Sequence, residues 1–250
     1  MKALIRLTAL LAVWLFASCD SGDIVEERQT AAGGGRAVKL TARVSGIRAL
    51  GSRYVVSLAS FKSGDNYAST VRAVSSSTED GTDITLILSP INSEVSTVEF
   101  AVTDRLRQRI VTLSRIAVED YPEQLDTIRM DLGAVDVSAF SVLQSGVFNM
   151  ACIQCHGGNG GSGAAGLNLT EGQALPQLVD VPSTCREGML RVASGNARRS
   201  VLHQILSEGG ENILHVNHTE ILTNQFRENV VELRSFIAEW INNLSVENRE

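Results

Sequence analysis

The sequence predicts a chain in two parts, an all-β sandwich over residues 37–137 followed by an all-α domain over residues 138–250. Two observations carry this. In the first part apolar and polar residues alternate in short runs broken by turn residues, which is the period of half-buried strands. In the second part the spacing changes to three and four. It is plainest in Val230, Leu233, Ile237, Trp240, Ile241 and Leu244, which fall on one stripe of a helix. At 250 residues, 44% hydrophobic and 20% charged, the composition is that of a folded chain with material for two cores.

Before the first strand the sequence reads as an address. Lys2 and Arg6 form a short basic region ahead of an apolar run at residues 7–17. That run is too short to span a bilayer and small residues come after it, so residues 1–18 read as a secretory signal. The run closes on Phe16-Ala17-Ser18-Cys19, which resembles the lipobox of bacterial lipoproteins, with phenylalanine where leucine is usual. The resemblance implies acylation of Cys19 and a membrane anchor that does not span. Asp20 in the next position implies, by the enterobacterial pattern, retention at the inner membrane. The expected location is the cell envelope, facing the periplasm or on the outer surface. Residues 19–36, polar and acidic with a run of glycines near the end, read as a flexible tether.

The strands come in order. Val38, Leu40, Ala42 and Val44 mark the first, and Tyr54, Val56 and Leu58 the second. Residues 71–74 form a weak one. Ile84, Leu86 and Leu88 form another, closed by Ser89-Pro90. Val98, Phe100 and Val102, then residues 109–118, then Ile128, Met130 and Leu132 complete the set. Gly51-Ser52, Ser63-Gly64-Asp65-Asn66 and Asp80-Gly81 supply turns. About seven strands in this length suggest an antiparallel sandwich of immunoglobulin-like architecture, although no Cys…Trp…Cys signature is present. This part holds no His and no Cys, and its acids, among them Asp83, Glu94, Glu99 and Asp104, read as solvated faces. Spacing, docking or assembly is expected of it.

In the second part Val142, Leu143, Val147, Phe148 and residues 150–153 have helical spacing and lead into Cys152-Ile153-Gln154-Cys155-His156. The glycine-rich stretch after it lets the backbone turn tightly beside a bulky group. It is no phosphate loop, because no Gly-Lys-Ser/Thr comes after it and no strand precedes. Thr170-Glu171-Gly172-Gln173 fits a capping box, and Pro176 and Pro182 interrupt the stretch beyond it. Asn196 is placed to cap a helix carrying Val201, Leu202, Ile205 and Leu206, which ends at Gly209-Gly210.

The C-x-x-C-H carries the chemistry. Two thiols on one helical turn are spaced for thioethers to the two vinyl groups of a haem, and the adjacent imidazole can take the iron. Cys152, Cys155 and proximal His156 are therefore the candidate cofactor residues for one covalent haem c. Two other readings use the same residues. A redox dithiol expects a βαβ context. A zinc site needs four donors, for which Cys152, Cys155, His156 and Cys185 are available. Export agrees with haem, since bacteria attach haem c outside the cytoplasm. Cys185 is left over and reads as a small buried apolar residue.

Further blocks stand in order: Cys155-His156-Gly157-Gly158, Gly166-Leu167-Asn168-Leu169, residues 194–202 from Ser194-Gly195-Asn196 to Ser200-Val201-Leu202, and residues 233–241 ending in Trp240-Ile241. The last hundred or so residues thus resemble the planctomycete-type cytochrome c domains. The resemblance implies an all-α cytochrome c-like haem domain and a methionine as distal ligand before the last helix. No methionine occurs after Met189. The corresponding region holds His215 and His218, so a bis-histidine iron is expected, with His218 favoured, His215 the alternative and Met189 behind both. His203 reads as a solvated surface residue. Phe148, Leu167, Leu169, Leu202, Leu222, Phe226 and Trp240 are expected to wall the haem.

The function expected is one-electron transfer by an exported, membrane-anchored monohaem cytochrome, a carrier and not an enzyme, which implies redox partner proteins. The alternatives are a gas sensor or haem enzyme with an open distal site, or a haem-bearing subunit of a larger redox assembly. A formal net charge of −6, no Lys/Arg cluster and only 5% aromatic residues argue against nucleic acid as partner.

Overall fold

A computed structural model describes residues 35–158, 163–207, 209–210 and 213–245. The signal run, Cys19 and nearly all of the tether lie outside the described residues. Among the described residues seven strands form two sheets. The strands are β1 (Arg36–Ser45), β2 (Tyr54–Lys62), β3 (Thr70–Ala73), β4 (Thr82–Ile91), β5 (Val95–Asp104), β6 (Arg109–Ala117) and β7 (Thr127–Asp136). One sheet has the order β4-β1-β7, the other β3-β2-β5-β6. Val38, Leu40, Leu88 and Ile128 from the first and Leu58, Val98, Phe100 and Val102 from the second are fully buried in one shared core. Each of the alternating runs read from the sequence lies in one of these strands.

Three details differ from expectation. The arrangement is not wholly antiparallel, because β1 and β7 pair in parallel. A parallel pair needs a long crossover, and here the whole intervening sandwich supplies it. Ser89-Pro90 does not close β4, which continues to Ile91. β4 is an edge strand, and its ladder with β1 slips between Arg36 and Val38, where a residue without an N–H is tolerated. Glu99 is not solvated but buried. Its Oε1 accepts from Thr97 Oγ1 at 2.9 Å and Arg109 Nη2 at 3.0 Å, and its Oε2 accepts from Thr112 Oγ1 at 2.7 Å. The Arg109 guanidinium lies 3.8 Å from the Phe61 ring centre. β5 is covered on both faces, and this cluster satisfies the charge that the covering removes from water.

The larger correction concerns fold class. After β7 come α1 (Ala139–Leu143), a π-helix (Gln144–Cys152), α2 (Ile153–His156), α3 (Ala174–Leu178), α4 (Val201–Leu206), α5 (His218–Phe226) and α6 (Val230–Asn243). Most are one or two turns long. Between α3 and α4 the chain is extended and bridges itself, Val179 with Val192, Pro182 with Leu190 and Leu190 with Ser200. Residues from Gly34 to Glu250 form one compact unit. The expected multidomain class, an immunoglobulin-like sandwich followed by an all-α cytochrome c-like haem domain, is thereby overturned. The chain is mostly β-sheet, with short helices packed onto it.

The reason is that helices of this length cannot bury a face against one another alone. They borrow the sheet instead. A Cβ on Gly146 of the π-helix would collide with Val111 Cγ1 of β6, so glycine is what lets helix and strand approach. Asn229 Nδ2 donates to Ile110 O at 2.8 Å. Phe236 of α6 meets Tyr54 of β2 edge-on, with ring centres 4.8 Å apart. Glu239 Oε2 accepts from Tyr54 OH at 3.1 Å and from Arg53 Nη1 at 3.2 Å. The helix starts also differ from expectation. Gln173 and Ala174 N–H both donate to Thr170 O, and α3 begins only at Ala174. Pro176 sits in its first turn, where the missing N–H costs nothing. Asn196 Oδ1 accepts from Arg199 N, but caps a separate 3₁₀ turn ahead of α4.

The Tyr54–Glu239 contact yields a stability prediction. Burial, and then the Glu239 carboxylate, raise the Tyr54 phenol well above its usual value of about 10. A raised folded-state pKa means stability present below the unfolded pKa and lost as pH rises through the folded one. Tyr54→Phe is therefore expected to cost about 1 kcal/mol at neutral pH and to flatten the fall in stability above about pH 10. Urea unfolding at pH 7 and pH 10.5 checks both.

Candidate metal centre

The π-helix carries the chain off the sheet and into the C-x-x-C-H. Cys152 is its last residue, and α2 holds the rest of the motif. The exit from α2 requires glycine, because a Cβ on Gly157 would collide with Ile153 O. The chain then returns to clasp His156. Gly163 lies so close that a Cβ there would come within 2.9 Å of His156 Cα. Ala165 adopts a left-handed φ of 57° to close the turn. Leu169 N donates to His156 O at 2.6 Å. His156 Nδ1 lies 3.0 Å from Ala164 O. A carbonyl cannot donate, so Nδ1 carries the hydrogen in this contact and Nε2 keeps its lone pair.

His218 is built in the same way from the other side. It is the first residue of α5, and its Nδ1 lies 2.9 Å from Val216 O, which again leaves Nε2 with a lone pair. The two imidazoles face each other with ring centres 6.2 Å apart and planes inclined by 21°. A metal held between two imidazoles sets a spacing that can be compared. Metal–nitrogen bonds of about 2.0–2.1 Å and rings of about 1.1 Å radius, from C–N bonds near 1.33 Å, give about 6.2–6.4 Å when the two Nε2 atoms point at one metal in line. The observed separation is close to that, and it also falls in the range of about 4.5–7 Å found for rings packed on each other.

The electrostatics fit ligands. Burial lowers the His156 pKa; the Ala164 carbonyl opposes this, and His218 adds to the lowering. The net direction favours the neutral ring, the form that binds metal. The Cys152 thiol is pushed up to about 12, by burial first and Cys155 second. A redox dithiol needs a thiolate of depressed pKa, so Cys152 is the opposite of an activated nucleophile. Cys155 is exposed.

The remaining candidates differ in exposure and surroundings. His215 is exposed and Met189 is half-buried against the core in the extended segment. His203 is half-buried on α4, its pKa lowered by burial and then by Arg198. Cys185 is exposed rather than buried, a correction to its expected role, because it stands in a turn held by Ser183 Oγ and not on a packed face. Among the described residues no group of three or more His, Cys, Asp or Glu side chains converges on one metal position. The four donors of the zinc reading are all described and do not form a tetrad. Of the expected haem wall, Phe148, Leu169, Leu202, Leu222 and Trp240 are already buried by polypeptide, while Leu167 and Phe226 remain partly exposed.

Sequence reasoning missed the two backbone clasps and the cap of α5. Asn217 Oδ1 accepts from Glu220 N at 3.0 Å, and Asn217 Nδ2 lies 3.3 Å from Glu220 Oε2. The Asn217-x-x-Glu220 spacing was readable as a capping box. The clasps were not, because they use carbonyls that carry no side-chain signature. No protein-family model, curated protein or solved structure matches the chain. Among the described residues no helix is long and apolar enough to cross a membrane.

Proposed function

We propose that the chain is an exported lipoprotein that carries one covalent haem c and passes single electrons between partner proteins. The observation that supports this most is the facing pair His156 and His218, each with Nδ1 occupied by a carbonyl, beside two cysteines on one turn. Cys152 and Cys155 would hold the haem by thioethers, His156 would be the proximal ligand and His218 the distal one. Once bound, haem c supplies an iron centre that changes oxidation state by one electron.

The chain's own residues set the conditions. The carbonyls of Ala164 and Val216 fix ring orientation and raise ligand basicity. Two imidazoles leave no position for a substrate, which favours a carrier over an enzyme. Two imidazoles also forgo the rise in potential that a methionine ligand brings. Met150 and Val216, neighbours in sequence of the motif and of His218, are 53% and 51% exposed, apolar surface of the kind a flat macrocycle covers. Acylated Cys19 would tether the protein to an envelope membrane, within reach of redox partners. The sheets give the haem segment a stiff support, since its π-helix is seated on β6.

The test is the visible spectrum of the reduced, exported protein with and without carbon monoxide. A c-type spectrum that carbon monoxide does not shift on mixing, and changes only slowly, is expected. An immediate, complete shift would contradict the closed distal site and turn the reading toward ligand sensing.

A further inference from the structure

We infer that Thr219 is the positioning residue that keeps the distal imidazole in place, by fastening the first turn of α5 to the end of α4. The inference rests on the haem reading and names the part of the fold that holds that site shut.

His218 sits at the start of a helix, where the chain is least constrained by its own hydrogen bonds. Something must hold that turn to the body of the protein. The segment before it offers little, since its carbonyl of Val216 is spent on His218 itself, on both Nδ1 and the backbone N–H. The Asn217–Glu220 cap shapes the turn but bonds only within α5.

Thr219 makes the outward connection. Its Oγ1 lies 3.0 Å from Ile205 O and 3.1 Å from Ser207 O. Ile205 O is one of the last carbonyls of α4, with no partner inside its own helix, and Ser207 O, just past its end, also accepts from Gly210 N at 2.9 Å. One hydroxyl hydrogen is shared between them, so the contact caps α4 and anchors α5 together. α4 is a firm support. Val201, Leu202, Ile205 and Leu206 are buried, and its first N–H groups donate to Leu190 O at 3.0 Å and Arg191 O at 2.9 Å in the extended segment. Leu222, one turn after Thr219, is buried on the neighbouring core and supplies the apolar half of the attachment. Thr219 adjoins His218 in sequence, so loss of this contact frees the backbone that carries the imidazole. A site of this kind tolerates displacement of only about 0.5 Å.

The experiment compares carbon monoxide association rates of the reduced holoprotein, which rise with the fraction of molecules whose distal ligand is off. Thr219→Val keeps the shape and removes the hydroxyl. A five- to tenfold faster association is expected, about the effect of one lost hydrogen bond. Thr219→Ser keeps the hydroxyl and is expected to match the wild type. Thr223→Val, which removes a hydroxyl bonded only to Thr219 O within α5, is also expected to match it. Should Thr219→Val fold poorly, Thr219→Ala removes the same hydroxyl with less bulk and carries the same expectation. A Thr219→Val protein that melts earlier but binds carbon monoxide at the wild-type rate overturns the inference and leaves the haem reading standing. His218→Ala separates the two: if it too stays at the wild-type rate, the distal assignment fails and this inference with it.

Discussion

Exchange of His218 for alanine is expected to open the haem to carbon monoxide, with association faster by about 10- to 1,000-fold. The range comes from the competent fraction. A closed site whose open form is a minor state populated at about 0.1–10% binds through that fraction only, and removal of the ligand makes every molecule competent. The prediction is specific to one histidine. His215 is exposed and has no part in the facing pair, so His215→Ala is expected to leave the rate unchanged. Met189→Leu is expected to do the same, because the Met189 side chain packs against the core. Flash photolysis or stopped-flow mixing of the three reduced variants decides among the candidate ligands. Faster binding in His215→Ala with none in His218→Ala would exchange their roles.

The second large effect is on stability. Gly146→Val is expected to destabilise the protein by about 3 kcal/mol. Two terms oppose. Glycine inside a helix costs about 1 kcal/mol relative to alanine, so any side chain recovers some of that. Against this, the new Cβ would overlap Val111 Cγ1 and lie 3.5 Å from Thr112 O. Val111 is buried and β-branched, so it has few rotamers with which to retreat. The overlap outweighs the propensity gain because helix and strand would have to separate. The same variant probes the fold correction. In one compact unit, a wedge between β6 and the π-helix lowers the β-sheet signal and the haem-segment signal together. Guanidinium unfolding followed by far-ultraviolet circular dichroism and by Soret absorbance should give coincident transitions in both proteins. Two separated transitions would restore an independent haem domain.

Five of the strands were legible because a two-residue period survives in their runs, from Val38-Leu40 to Ile128-Met130. What alternation does not encode is which strand pairs with which, so the parallel β1–β7 pair was invisible. Glu99 was misread for a related reason, since a charge on a strand is solvated only if nothing covers that face. The helical half misled more. Apolar residues at helical spacing were correctly placed, but the stripe does not say whether its partner is another helix or a sheet. Here Phe236 meets Tyr54 and Gly146 meets Val111. At the candidate site, the motif and the two histidines His215 and His218 were readable as residue types. What the structure adds at His218 is the Val216 carbonyl contact and the ring pair with His156, neither of which counting along a loop could supply.

The central claim is covalent haem on Cys152 and Cys155. The most direct measurement is the mass of the denatured chain, exported in a host that matures c-type cytochromes and washed with acidified organic solvent. The account predicts a chain heavier by one haem, still absorbing in the Soret region, with the added mass lost in the Cys152→Ala/Cys155→Ala double variant. An unmodified chain, with haem washed away or never present, would contradict it.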